Sequence, residues 1–125
     1  MDFHLAPKLT VNKINELRPD AMLLCGMAEY RTKLNVESNA VFENETLKTN
    51  VNLEKLVSGL THTEISHNIG TFVCNRLYFD VLKHCGNKHP DKPCVFVHVP
   101  VISDHNRTAL RDDFQTLIER LSTLH

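Results

Sequence analysis

Apolar and polar positions alternate along the chain with two distinct periods. Leu9, Ile14 and Leu17 recur among charged residues between Lys8 and Arg18, the pattern of an amphipathic helix, and the Arg-Pro-Asp that follows ends it because proline restricts the residue before it. "AMLLCG", Ala21 to Gly26, is a short apolar run bounded by turn residues and predicts a buried strand of a mostly parallel sheet. From Leu34 to Phe42 the residues alternate, Leu34, Val36, Ala40 and Phe42 against Asn35, Glu37 and Asn39. That predicts one half-buried strand carrying a carboxylate.

"FENETLKTN" reads as a polar connection, "VNLEKLVSGL" as a short helix ended by glycine, and "TEIS" as a brief strand. Ile69, Val73, Leu77 and Val81 then recur every fourth residue, the buried stripe of a helix running to about Lys83 or His84. Cys74 falls about 100° round that helix from Val73, on the flank of the stripe. "HCGNKHPDKP" predicts a loop, and "CVFVHVPV" a strand that is β-branched or aromatic at nearly every position and closed by Pro100. Leu110, Phe114, Leu117, Ile118 and Leu121 mark a final amphipathic helix from about Asp104. Helices and strands in this order give a single α/β domain of packed layers.

Composition narrows the function classes. Hydrophobic residues at 42%, charged residues at 23% and a net charge of -1 are globular values without the basic footprint of a nucleic-acid or anionic-lipid binder. No run approaches the roughly 20 apolar residues that cross a bilayer, and "MDFHLAPKLT" has no secretory pattern, so a cytoplasmic chain is expected. Cys25, Cys74, Cys85 and Cys94 are too irregularly spaced for a secreted disulfide framework and are expected reduced. Cys25 and Cys94, at strand ends, read as core residues and Cys85 as an exposed loop thiol. His62, His67 and His105 read as solvated, with His67 near enough to Cys74 to contribute to a pocket wall.

In open α/β sheets, ligand sites collect at the carboxyl ends of strands, where Cys74 and His98 both fall. A thiol in the first turns of a helix meets the positive end of the macrodipole, and a neighbouring imidazole can hold the thiolate as an ion pair. A carboxylate on the second ring nitrogen would fix the tautomer, and Glu37 is the candidate. The plain alternative is a packed thiol and an ordinary histidine.

"ISHNIGTFVCN" followed by "CVFVHVP" resembles the nucleophile and histidine segments of the type I pyroglutamyl peptidases, or pyrrolidone-carboxylate peptidases, a family of cysteine peptidases. Ser66, Gly70, Phe72, Cys74 and Asn75 fit the first segment; His98, Val99 and Pro100 fit the second. "RPDAMLLCGMAEYRTKLNVES" is similar to a third, in which an arginine stands six residues before the catalytic glutamate, the separation of Arg31 and Glu37. The whole looks most like the short, divergent bacterial members.

The resemblance implies a three-layer α/β sandwich about a mostly parallel, mixed sheet of the phosphorylase/hydrolase-like kind. It implies a cysteine peptidase that removes N-terminal pyroglutamate through an acyl-thioester, with Cys74, His98 and Glu37 as triad. Arg31, Gly26, Met27 and Asn75 are then placed at the oxyanion and the substrate. No cofactor or metal is expected, and the partner is a peptide beginning with pyroglutamate, with neither nucleic acid nor membrane. A homo-oligomer is suggested.

The family's opening strand and its glycine- and phenylalanine-rich loop have no counterpart, so the chain is expected to begin inside the usual domain. Met27, Glu29 and Tyr30 stand where the family has glutamine and two glycines. These departures favour a second reading, an inactive relative acting as a binding or structural domain. A zinc site at His84, Cys85, His89 and Cys94 has a spacing that fits no standard finger or ribbon.

Overall fold

The β-branched and aromatic run at Cys94–Val99 forms strand β6, and the main sheet is assembled around it. A computed structural model describes residues 21–70, 72–88 and 90–123; the helix read over 8–18 and His89 lie outside the described residues. The chain runs β1 (Met22–Met27), β2 (Leu34–Glu37), β3 (Asn39–Phe42), β4 (Glu45–Lys48), α1 (Leu53–Val57), β5 (Thr63–Ser66), α2 (Phe72–Lys88), β6 and α3 (Arg107–Leu121). Four strands form one sheet in the order β1-β6-β2-β5, and β3 and β4 form a separate hairpin. β1 runs parallel to β6 and β5 parallel to β2, while β2 and β6 are antiparallel, which makes the sheet mixed as expected.

Alternation along β6 divides the interior in two. Cys94 and Phe96 point to a cluster built with Tyr78, Phe79, Val81, Leu82 and Cys85 of α2 and Ala40 of the hairpin. Val95 and Val97 point the other way, to Leu53 and Leu56 of α1 and Leu110, Leu117 and Leu121 of α3. Helix α3 is pinned to β5 by buried Asp113, whose Oδ2 accepts from the His62 backbone N–H at 2.9 Å and from the Thr63 hydroxyl at 2.8 Å. The result is the three-layer α/β arrangement.

Four local expectations are corrected. The strand read over Leu34 to Phe42 is two strands in different sheets: the chain leaves the main sheet after Glu37 and enters the hairpin at Asn39. All four residues of β2 are buried, because β6 and β5 flank it and both faces are covered. The polar "FENETLKTN" contributes β4, paired with β3 around Glu43 and Asn44. β1 is half-buried rather than buried, with Cys25 and Met27 exposed, since its only strand partner among the described residues is β6.

Helix α2 also departs from the pattern. It continues to Lys88, past the expected stop, because Cys85 packs into the core at 5% exposure and the last turn forms despite Gly86. Cys85 is therefore a buried helical residue and not an exposed loop thiol. The buried face of α2 is Tyr78, Phe79, Val81, Leu82 and Cys85. Cys74, four residues before Tyr78, is partly buried at one side of that face.

Candidate active site

The period-two alternation that sends Phe96 toward α2 sends His98 there as well. On β2, Leu34 and Val36 belong to the opposite cluster, so Asn35 and Glu37 face α2. Asn35 stands directly across from His98 and Glu37 across from Phe96, which makes Glu37 and His98 diagonal neighbours on one face of the ladder. His98 Nδ1 and Glu37 Oε1 are 3.1 Å apart, and both side chains are fully buried. Cys74, the third residue of α2, brings its thiol to the same imidazole.

Gly26 explains how the sulfur fits. It pairs with His98 across β1 and β6, and a Cβ built on it would stand 3.0 Å from Cys74 Sγ and 2.9 Å from Phe96 Cζ. No larger residue fits without displacing one of them. The Phe96 ring meets the His98 ring edge-on with centroids 4.9 Å apart. Gly70 turns the chain into α2 at φ 77°, a left-handed conformation that glycine adopts without strain.

Burial alone would lower the His98 pKa, but hydrogen bonds to Cys74 and Glu37 and the charges of both outweigh it and push it up to about 9. Glu37 holds Nδ1, and Nε2, which makes no other hydrogen bond, is left to the thiol. The imidazole is protonated at neutral pH, the state that favours a thiolate beside it. The Cys74 backbone N–H lies in the first turn of α2, at the positive end of the helix dipole. A positive helix end, an imidazole and a thiol thus share one point.

Arg31 lies behind Glu37. Its guanidinium donates to Asn35 Oδ1 at 2.8 Å and to the Asn68 carbonyl at 2.8 Å, reaches Ser66 Oγ at 3.4 Å, and stands 3.7 Å from Glu37 Oε1. Asn75 is engaged elsewhere: its amide brackets the Val41 backbone, accepting from N–H at 2.9 Å and donating to the carbonyl at 2.6 Å. Met27 is 66% exposed and lines, with Tyr30, Arg31, Ile69 and Gly70, a cavity of about 520 Å³ that reaches His98. A second cavity of about 390 Å³ across Ile69 and Gly70 is lined by Asn39, Val41, His67 and Asn75. His67 Nδ1 lies 2.7 Å from Ser38 Oγ there.

The structure therefore brings Cys74, His98, Glu37, Arg31 and Gly26 together, sets Met27 on the cavity wall, and binds Asn75 to the hairpin. Asn35, Asn68, Phe96 and Tyr78 also belong to this neighbourhood and were not singled out by sequence, whereas Ser66, which was, meets the Arg31 guanidinium here. Only the alternation of Asn35 with Glu37 and the one-turn spacing of Tyr78 from Cys74 could have pointed to them. Of the thiols read as core, Cys94 is buried and Cys25, on β1, is exposed. Among the described residues no cluster of His, Cys, Asp and Glu could hold a metal ion, and no helix is long and apolar enough to cross a membrane.

A family model described as pyroglutamyl peptidase matches residues 47–114. The pyrrolidone-carboxylate peptidase of a Thermoanaerobacter species is 24% identical over an alignment covering 80% of this chain and 62% of its own length. Pyrrolidone-carboxylate peptidase 2 of Caldanaerobacter subterraneus is 23% identical, with 80% and 61% covered. The chain thus spans about 62% of the length of the curated relatives it matches. Among solved structures, pyroglutamyl peptidase I of Bacillus amyloliquefaciens superposes with a TM-score of 0.81 at 16% identity, covering 94% of this chain and 74% of that one. A mutant pyrrolidone carboxyl peptidase from P. furiosus gives 0.77 at 18% identity, covering 92% and 74%.

Proposed function

The chain belongs to the pyroglutamyl peptidase family, and from that premise we propose that it is a cysteine peptidase releasing N-terminal pyroglutamate through Cys74, His98 and Glu37. The observation that carries the proposal is the buried alignment of Glu37 on Nδ1 of His98 with the thiol left to address Nε2.

Cys74, as thiolate, attacks the carbonyl carbon joining pyroglutamate to the next residue, forming a C–S bond and a tetrahedral oxyanion. The oxyanion lies within reach of the Cys74 backbone N–H, and the Arg31 guanidinium on the cavity wall adds positive potential. Collapse breaks the C–N bond while His98 Nε2 protonates the leaving amine. A water deprotonated by the now neutral His98 then attacks the acyl-thioester, releasing pyroglutamate and restoring the thiol. Glu37 holds the imidazole in register through both steps.

The lactam is compact and uncharged, and a cleft of a few hundred cubic ångströms with mixed walls suits it. Gly26 supplies the space beside the sulfur, Met27 an apolar wall, and Asn75 fixes the hairpin that borders the neighbouring cavity. No cofactor enters any step.

The test is a fluorogenic pyroglutamyl amide, assayed with the parent chain and with Cys74→Ser. Release that disappears in the variant is expected, because the hydroxyl is nearly isosteric with the thiol but a far weaker nucleophile. Full turnover by Cys74→Ser overturns the assignment. A folded parent that releases nothing would favour a non-catalytic relative, a reading to which the exposed Met27 and Tyr30 on the cavity wall lend support.

A further inference from the structure

Tyr78 stands one helical turn beyond Cys74 on α2 and is fully buried. Its hydroxyl donates to the Glu37 backbone carbonyl at 2.9 Å. The Phe96 backbone and Thr49, whose hydroxyl donates to the Cys94 carbonyl, lie beside it. Glu37 and Phe96 face each other at the end of the antiparallel β2–β6 ladder, so the phenol bridges the two strands at the rung from which Glu37 projects. The tyrosine ring packs against Phe96 at a centroid distance of 5.6 Å, and Phe96 in turn meets His98 edge-on.

We propose that Tyr78 is a positioning residue: it fixes the helix that carries the sulfur against the strand pair that carries the carboxylate and the imidazole. The proposal rests on the three-residue reading given above. Hydrophobic burial holds α2 on the sheet but is non-directional, whereas a hydrogen bond from a ring with two torsions fixes distance and angle together. Errors of about 1 Å in such an assembly cost about a hundredfold in rate. Burial pushes the phenol's pKa far up, so it remains a proton donor at any working pH.

The test compares parent and Tyr78→Phe, which keeps the ring and removes the hydroxyl. Carbamidomethylation of Cys74 by iodoacetamide is followed against pH by peptide mapping, alongside turnover of the pyroglutamyl amide. In the parent, Cys74 should react well below the ordinary thiol range. In Tyr78→Phe the inflexion should move up toward that range, and kcat should fall about tenfold to a hundredfold with KM little changed. A variant with the parent's pH profile and kcat overturns the proposal while leaving the three-residue reading intact. A parent whose Cys74 reacts like a free thiol overturns that reading and the proposal with it.

Should Tyr78→Phe not fold, the Tyr30→Phe chain has Tyr78 as its single tyrosine and can be labelled with 3-fluorotyrosine. Its fluorine resonance should move with the inflexion of the alkylation profile. A resonance that stays flat through that range overturns the proposal.

Discussion

Replacing Gly26 by alanine puts one methyl group where β1, β6 and the start of α2 converge. The added carbon would stand 2.9 Å and 3.3 Å from two atoms of the Phe96 ring and 3.0 Å from Cys74 Sγ. Carbon contacts are optimal near 3.5–4.0 Å, so each neighbour must retreat by roughly half an ångström or more. Phe96 is fully buried and backs onto His98, and any shift of the Cys74 sulfur disturbs its contact with the same imidazole. Overpacking of this kind costs about 1–3 kcal/mol. For a chain of this size the melting temperature should drop by roughly 4–12 °C.

The chemical consequence can be read in the same sample. Cys25 is exposed and one residue before the substitution, so its alkylation serves as an internal reference. Gly26→Ala should slow alkylation of Cys74 relative to Cys25 and raise the pH at which it sets in. If Gly26→Ala melts within a degree of the parent and keeps the parental ratio of Cys74 to Cys25 labelling, the tight approach of β1 to the sulfur is wrong.

Two further outcomes follow from the same contacts. Burial by itself would lower the His98 pKa, but its bonds to Cys74 and Glu37 raise it from 6.5 to about 9, so folding favours the protonated ring. The stabilisation is complete below about pH 6.5 and is lost as pH rises through about 9, a change of roughly 1–3 kcal/mol. Urea titrations across that window should show the decline in the parent and a flatter line in Glu37→Gln; equal slopes would contradict the pairing. Asp113→Ala leaves the His62 N–H and the Thr63 hydroxyl without their acceptor and should cost about 2–3 kcal/mol by the same measurement. A loss under about 0.5 kcal/mol would mean that these two bonds do not help to hold α3.

The strongest strand, the last helix and the alternation of helix and strand from Leu53 onward were legible because their periodicity is set by burial. His98 and Glu37 were placed on strands correctly, yet nothing local says that β2 and β6 are antiparallel neighbours, since they lie 61 residues apart at that pair. The hairpin was illegible for a different reason. Its turn, Glu43–Asn44, puts a glutamate at φ 55°, without the glycine that usually marks a tight reversal, and β4 has one half-buried leucine among polar residues. Alternation across Ser38 continued through a change of sheet, because each half is periodic by itself. The end of α2 was misjudged because Gly86 speaks for a stop, whereas the packing of Cys85, invisible in the local pattern, speaks for continuation.

The strand that joins β1 to β2 is the last one in the sequence. Among the described residues β1 and β2 meet only through β6, so the sheet cannot close until the chain has been made as far as Val99. Pairing across such separations requires loop closure before any contact rewards it, which makes assembly slow and concentrates it in one late event. A ribosome-bound chain that stops short of β6 carries Cys74 with no imidazole beside it. The thiol thus emerges from synthesis as an ordinary cysteine, and the imidazole that the proposed chemistry needs arrives with the final strand.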